Sequence, residues 1–409
     1  MSVVAHQPTH TDVEPRGPRC RVGVFSDLLY RRDEHGLSTH QAFIRFVTGL
    51  PPRVDEIVLF GRVKPGSERS HYALPNERVR FVELPHYARV TSVGGQLRAY
   101  RSARRTFLGE LGSLDLVWIF GPHPVAVGLA RAAQRQGTRV VLGVRQDYPS
   151  YIRHRLPSRR WAWAVPVAHG LERTFRRMAR RCPSVALGRE LARAYDQGAP
   201  VLETGFPLIS DRELADPDTA RDRDWSGNVN ALSVGRIDAE KNPLLLAEIA
   251  SQLRSRSDQW RLRVVGDGAL LESLTERVEA SGLSGVVDLK GYVANGPDLW
   301  REYDRSSVFL HVSRTEGLPQ VLAEAQAAGI PIVATAVGGV PGAIEHERNG
   351  LLIPPDDATA AVDALERLRL DAELRKALIA EGLRRAQTET MEAQLDRVAA
   401  FLRSALQAA

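Results

Sequence analysis

Two runs of alternating strand-like and helix-like segments, divided by one polar stretch, constrain this chain more than any other feature. In the first run, RVGVFSD reads as a short buried strand ending in a polar loop, and HGLSTHQAFIRFVTGL reads as the helix after it. Strand-type runs recur at EIVLF, RVRFVEL, LDLVWIF and TRVVLGV, with helical patterns between several of them. That alternation predicts a parallel sheet wrapped by helices. Leu208–Asn230 (LISDRELADPDTARDRDWSGNVN) is polar, carries Pro and Gly, and reads as a linker. The alternation then restarts with NALSVGRI, PLLLAEIASQLRS, WRLRVVGDG and LLESLTERVEASGL, and GVVDLKGYV, SVFLHVS and IPIVAT add three strands before a helical tail near Ala358. The expected fold class is α/β, with two doubly wound Rossmann-like domains facing a cleft and ligand at the carboxyl ends of the strands. Residues 21–207 make the first domain, 208–230 the linker and 231–390 the second domain, and a last helix over 391–409 is free to cross back to the first domain. Residues 1–20 are polar and Pro-bearing, without an apolar h-region, and are expected to form a disordered tail.

Charge divides along the same boundary. The net charge is +6, yet residues 1–207 carry 32 Lys and Arg against 17 Asp and Glu, so the second half is acidic. The densest basic stretch, Arg153–Arg181, mixes Arg with Trp and Phe on a helical period. It suits either a solvated helix face or a peripheral contact with an anionic membrane or a phosphorylated acceptor. No nucleic-acid-binding motif accompanies it, so nucleic acid is not expected as a partner. No run approaches the roughly 18 apolar residues that a membrane span needs. Cys20 and Cys182 have neither disulfide-framework nor zinc-type spacing, in keeping with a cytoplasmic protein.

Two segments carry chemistry. In VGRIDAEKNPLLL a strand ends at Gly235, Arg236 and Lys241 lie in the following loop, and a helix opens at Pro243. Two cations at the carboxyl edge of a sheet are placed to clamp a diphosphate. Only four of the 55 basic residues are Lys, so a Lys here marks a demand for a compact point charge. In SRTEGLPQVLAEAQAAGIPIVAT a strand leads through Glu316, Gly317, Leu318 and Pro319 into a helix carrying Glu324. The unpaired N–H groups at that helix start form an anion site, and the two carboxylates can accept bonds from sugar or ribose hydroxyls. Asp216-Pro-Asp218 and Asp222-Arg-Asp224 imitate a metal-binding Asp-x-Asp but fall in the linker, and Gly266-Asp-Gly268 lacks the third glycine of a dinucleotide fingerprint, with Leu at 271.

Together these segments resemble family 4 glycosyltransferases of the GT-B fold. Glu316 and Glu324 match the family's Glu-x7-Glu, and Gly235, Arg236 and Lys241 match its Gly-Arg-x4-Lys loop. Val265–Gly268, Gly291–Val293, Gly338-Gly339 and Asn349–Leu352 follow in order. The resemblance implies a retaining transferase that uses a nucleoside diphosphate sugar as substrate and needs no metal or other cofactor. It makes Arg236, Lys241 and Glu316 the catalytic residues. Donor contacts fall to Gly36, Gly235, Gly266, Val293, Gly317, Leu318, Pro319 and Glu324, with Glu324 on the ribose and the Val293 backbone on the base. Where many members carry a histidine, this chain has Gln146 beside Arg145 and Asp147, with His123 as another residue on the acceptor side. The acceptor is not named by the sequence, and the basic first half permits a lipid-linked or a phosphorylated one. Other readings keep the pocket but not the transfer: a catalytically inactive nucleotide-sugar-binding protein, a GT-B relative that phosphorolyses or epimerises, or more remotely a dinucleotide oxidoreductase.

Overall fold

The computed structural model describes residues 19–41, 43–51, 53–65, 70, 72–74, 79–85, 93–154, 162–205, 207, 209–317 and 319–407. The expected tail lies outside these residues as far as residue 18. At its end Cys20 is already buried, its N–H donating to Asp55 Oδ2 at 2.6 Å. The chain divides into two compact units, one holding the chain to Thr204 together with the segment from Leu395, the other spanning Gly205–Gln394.

The first unit is built on strands β1 (Arg21–Asp33), β2 (Gly36–Thr39), β3 (Glu56–Pro65), β4 (Tyr72–Ala73), β5 (Val79–Leu84), β6 (Leu116–Gly121), β7 (Arg139–Val144), β8 (Ser184–Leu187) and β9 (Val201–Thr204). Seven of them run parallel in the order β5-β3-β1-β6-β7-β8-β9. Helices supply the apolar neighbours that an all-parallel sheet requires. Val117, Ile119, Val140 and Leu142 point into one core with Phe107 and Phe175.

The start of this unit departs from the sequence reading. The strand does not stop at Asp27. It continues to Asp33 and turns back as β2, pairing Arg31 with Ser38 and Asp33 with Gly36, and the helix after it covers only Phe43–Gly49. Gly36 therefore closes a β-hairpin, at φ +116°, and does not lie in the helix read over residues 35–50. Charged residues hid the extension, because Arg31 and Arg32 are paired on their other edge by Lys64 and Pro65 of β3, a non-local partner.

The second unit contains β10 (Val229–Val234), β11 (Trp260–Val265), β12 (Val287–Gly291), β13 (Val308–His311), β14 (Ile332–Thr335) and β15 (Leu351–Ile353), all parallel, in the order β12-β11-β10-β13-β14-β15. This is the doubly wound order in which winding reverses between the first and fourth strands, here between β10 and β13.

The expected linker is instead folded onto this unit. Asp216 caps the short helix Pro217–Arg221 by accepting from Thr219 N at 2.9 Å, and Ala215 N donates to Ala327 O at 2.7 Å. The Arg223 guanidinium donates to the carbonyls of Asp304, Ser306 and Ala328 at 2.8, 3.0 and 2.7 Å. Its polar residues thus satisfy local backbone groups, and the chain passes between units at Thr204–Gly205. Asp224, the other member of the second Asp-x-Asp, accepts from Ser226 N.

The last helix, Met391–Gln407, joins the first unit from Leu395 onward. Leu395, Val398 and Leu402, spaced to share one helix face, are buried, and Arg403 Nη2 donates to Arg53 O at 2.9 Å. Leu402→Ala should lower the unfolding free energy of this unit by about 2–5 kcal/mol. Denaturant unfolding checks it, and an unchanged transition would mean the helix contributes nothing to that core.

Candidate active site

The carboxyl ends of β10 and β13 each open into a loop followed by a helix, Pro243–Arg256 and Gln320–Ala327 respectively. The two loops are fastened to each other and to their neighbours by backbone. Arg314 N donates to Glu240 O at 2.9 Å, and Gly339 N to Glu316 O at 3.1 Å. Glycine is needed at two of these approaches. A Cβ on Gly338 (φ +50°) would lie 2.0 Å from Glu316 O, and one on Gly266 (φ +148°) 1.8 Å from Gly235 O. Gly266 therefore acts as a packing surface under the Gly235 loop.

Between the loops lies a cavity of about 230 Å³ lined by Gly235, Arg236, Lys241, His311, Ser313 and Glu316, among others. The Glu316 Oε1 atom accepts from Lys241 Nζ at 2.5 Å, Ser313 Oγ at 2.8 Å and His311 Nε2 at 2.9 Å. Burial alone would raise the Glu316 pKa, but the bonds from His311, Lys241 and Ser313 outweigh it and bring the carboxyl down to about 2. With Nε2–H donating to the carboxylate, His311 Nδ1 is buried and has no hydrogen-bond partner among the described residues. Arg236 is more exposed and is held by Asp238 at 2.7 Å and by Glu240.

Of the predicted donor-side residues, Gly235, Arg236, Lys241, Glu316 and Pro319 are brought to this cavity. Pro319 is buried and immediately precedes the helix; Gly317 is exposed, and Leu318 lies outside the described residues. Val293 packs against the apolar cluster around Leu232 and Leu299. Glu324 is on the inner face of its helix, apart from Glu316. Its Oε2 accepts from the buried Tyr303 hydroxyl at 2.7 Å, and Oε1 has no hydrogen-bond partner among the described residues. Burial pushes the Glu324 pKa up despite the Tyr303 bond.

In the first unit, Asp27 stands at an irregularity of β1, where the register with β3 shifts between Phe25 and Leu29. Its Oδ1 lies 2.7 Å from Arg62 Nε and its Oδ2 3.4 Å from His123 Nε2. Burial holds His123 below the usual histidine range, against the pull of Asp27. Arg145 stacks on Phe43 and Phe120, its Cζ 4.7 and 5.6 Å from the ring centroids. Gln146 and Asp147 are exposed, and Asp147 caps the helix Tyr148–His154 by accepting from Ser150 N at 2.7 Å.

Sequence reasoning missed His311, Ser313, Asp27 and Arg62. The available signal for His311 and Ser313 was a polar residue closing an otherwise apolar strand, since residues two apart share a strand face, whereas Asp27 and Arg62 lie inside β1 and β3. Among the described residues, no group of three or more His, Cys, Asp or Glu is placed to hold a metal ion, and no helix is long and apolar enough to cross a membrane.

Residues 224–385 match the family Glycosyl transferases group 1. A D-inositol 3-phosphate glycosyltransferase of Saccharomonospora viridis is 31% identical over 241 residues, covering 54% of this chain and 56% of the relative. A putative colanic acid biosynthesis glycosyltransferase of Escherichia coli is 32% identical over 140 residues, covering 33% and 34%. The chain thus spans between about a third and just over half the length of these curated relatives. A crystal structure of an Anabaena protein in complex with UDP superposes with a TM-score of 0.63 at 15% identity, covering 94% of this chain and 100% of that one. The likeness establishes the GT-B fold.

The Glu324 environment gives a pH prediction. Its folded pKa is raised above 4.5, so the folded state holds the proton more tightly and wild type loses stability as pH rises through that pKa. Glu324→Gln should match wild type below pH 4.5 and gain on it toward neutrality. Denaturant midpoints measured across that range would refute this if their difference stayed constant.

Proposed function

We propose that this chain is a retaining, metal-independent glycosyltransferase that moves a hexose-type sugar from a nucleoside diphosphate to an acceptor. The observation that carries the reading is the Lys241–Glu316 pair lining a cavity at the point where strand order reverses, the place where open α/β sheets bind ligands. The UDP bound to the Anabaena protein supports a nucleotide donor.

An ammonium has three donors, so Lys241 can keep its bond to Glu316 and still offer two to the diphosphate. Arg236 exchanges its loop carboxylates for the same group. The free N–H groups at the start of Gln320–Ala327 add a third positive element. As the bond from the anomeric carbon to the diphosphate breaks, its electron pair goes to the leaving oxygen, and these fixed donors stabilise the charge where it develops. That is the work a divalent cation does in other enzymes. Glu316 Oε2 receives a sugar hydroxyl while Oε1 stays with its three donors, and the ribose falls to Glu324 on the family resemblance alone. Val293 reads the base through its backbone. Retention comes from the family resemblance: the acceptor oxygen enters on the face the diphosphate leaves, and its proton passes to the departing phosphate.

The helix Ala164–Met178 supports peripheral contact with an anionic membrane at a cytoplasmic face. It buries Ala168, Glu172 and Phe175 and leaves Trp163 and Val167 about half exposed beside Arg173 and Arg177. Such a combination suits a headgroup layer.

Thermal shift with UDP, GDP, ADP and TDP should give one clear responder, worth roughly 2.7 kcal/mol at 100 times its dissociation constant. With that donor, Lys241→Ala and Glu316→Ala should each lower turnover at least about tenfold, or roughly 1.4 kcal/mol of barrier. Wild-type rates in both variants would end the assignment. Activity should also survive excess chelator, and a loss restored by magnesium would remove the metal-independent part.

A further inference from the structure

The first unit has its own reversal of winding, between β1 and β6, and a polar cluster stands there. Four adjacent strands, in the order β3-β1-β6-β7, bring Arg62, Asp27, His123 and Arg145 to one edge of the sheet. Asp27 lies where β1 is bulged, a device that re-aims a side chain and is common beside active sites. Both Asp27 oxygens are engaged, one with Arg62 at 2.7 Å and the other facing His123 at 3.4 Å. Arg145 lies within electrostatic reach of Asp27 but makes no ion pair or hydrogen bond among the described residues. The Tyr30 hydroxyl, close enough to interact electrostatically with the same guanidinium, is buried and has no hydrogen-bond partner among them either.

An arginine with five donors, half-buried against two aromatic rings and without an acceptor among the described residues, keeps those donors available to a ligand. Among these four side chains, with His123 held toward its neutral form, two guanidinium groups face one carboxylate. Stacking on Phe43 and Phe120 fixes the plane of the guanidinium, so its fork is oriented before any ligand arrives. We propose that Arg145 is a specificity residue that receives an oxyanion group, phosphoryl or carboxylate, carried by the acceptor. That the ligand is an acceptor rests on the transferase reading; that the site binds an oxyanion does not. The sequence position where many relatives place a histidine, Gln146, is solvent-exposed here, and recognition passes to the residue before it.

The test is calorimetric titration of the full chain with methyl phosphate and with acetate, in a Lys241→Met background that weakens oxyanion binding in the second unit. Saturable binding of either probe, weakened at least about tenfold by adding Arg145→Met and less by Arg145→Lys, is the expected result. Methyl phosphate alone would assign a phosphoryl acceptor, and acetate alone a carboxylate. Binding of neither probe, or equal affinity with and without Arg145→Met, would overturn the proposal. Titration of the responding nucleoside diphosphate into the Arg145→Met single variant should reproduce wild type, which shows that the variant folds; if it does not fold, Arg145→Lys decides, weaker probe binding supporting the proposal and unchanged affinity overturning it. Failure of every nucleoside diphosphate to bind wild type would reject the transferase reading and leave the oxyanion result standing.

Discussion

The ion pair between Lys241 and Glu316 is the interaction on which the second unit's site depends. Its members lie 75 residues apart, and each side chain is largely withdrawn from water, Glu316 to 8% exposure. Taking two charges out of water costs more than their attraction returns unless further hydrogen bonds complete the site. Ser313 and His311 supply those bonds, both on the same oxygen. The backbone around the pair explains how two loops can hold such a geometry. Arg314 N ties one loop to the carbonyl of Glu240 in the other, Asp356 accepts from both Asn242 and Arg314, and glycines at 266 and 338 let neighbouring chain come within bonding distance. The ion pair is thus a product of the fold around it.

The two units solve the same problem with opposite charge balance. At the winding reversal of the second, Lys241 meets Glu316 and Arg236 meets Asp238 and Glu240, so carboxylates outnumber cations. At that of the first, Asp27 is shared by Arg62 and faced by a neutral imidazole while Arg145 stands over aromatic rings. Among these four half-buried side chains positive charge is therefore in excess, which favours an anion contact there. The basic excess of the first half of the sequence is consistent with this local arrangement, and much of it is also displayed on open helix faces such as that of Arg173 and Arg177.

What could be read from sequence was what short-range pattern determines. Five of the six parallel strands of the second unit follow from apolar runs between helical periods, while β15, only Leu351–Ile353, was too short to announce itself. Arg236, Lys241 and Glu316 were visible because loop charges after buried strands are rare enough to stand out. Features decided by distant partners were not legible. The β1–β2 hairpin forms because β3 covers the other edge of Arg31 and Arg32. The supposed linker is folded because three carbonyls from elsewhere in the unit meet Arg223. Glu324 shares a motif with Glu316, yet helical rotation carries it to the side of Tyr303. His311 and Ser313 looked like the end of an apolar strand until Glu316 folded back over them.

The return of the last helix to the first unit gives that unit a sequence in two pieces, with the whole of Gly205–Gln394 between them. During synthesis the second unit therefore has all of its residues before the first has its own. Until Leu395 and the residues after it leave the ribosome, Gly49 lacks the leucine side chain that packs against it, and the apolar surface later covered by Val398 and Leu402 is open to water. The usual expectation that the amino-terminal domain matures first is inverted in this topology. The earliest-made half of the protein is the last to be closed.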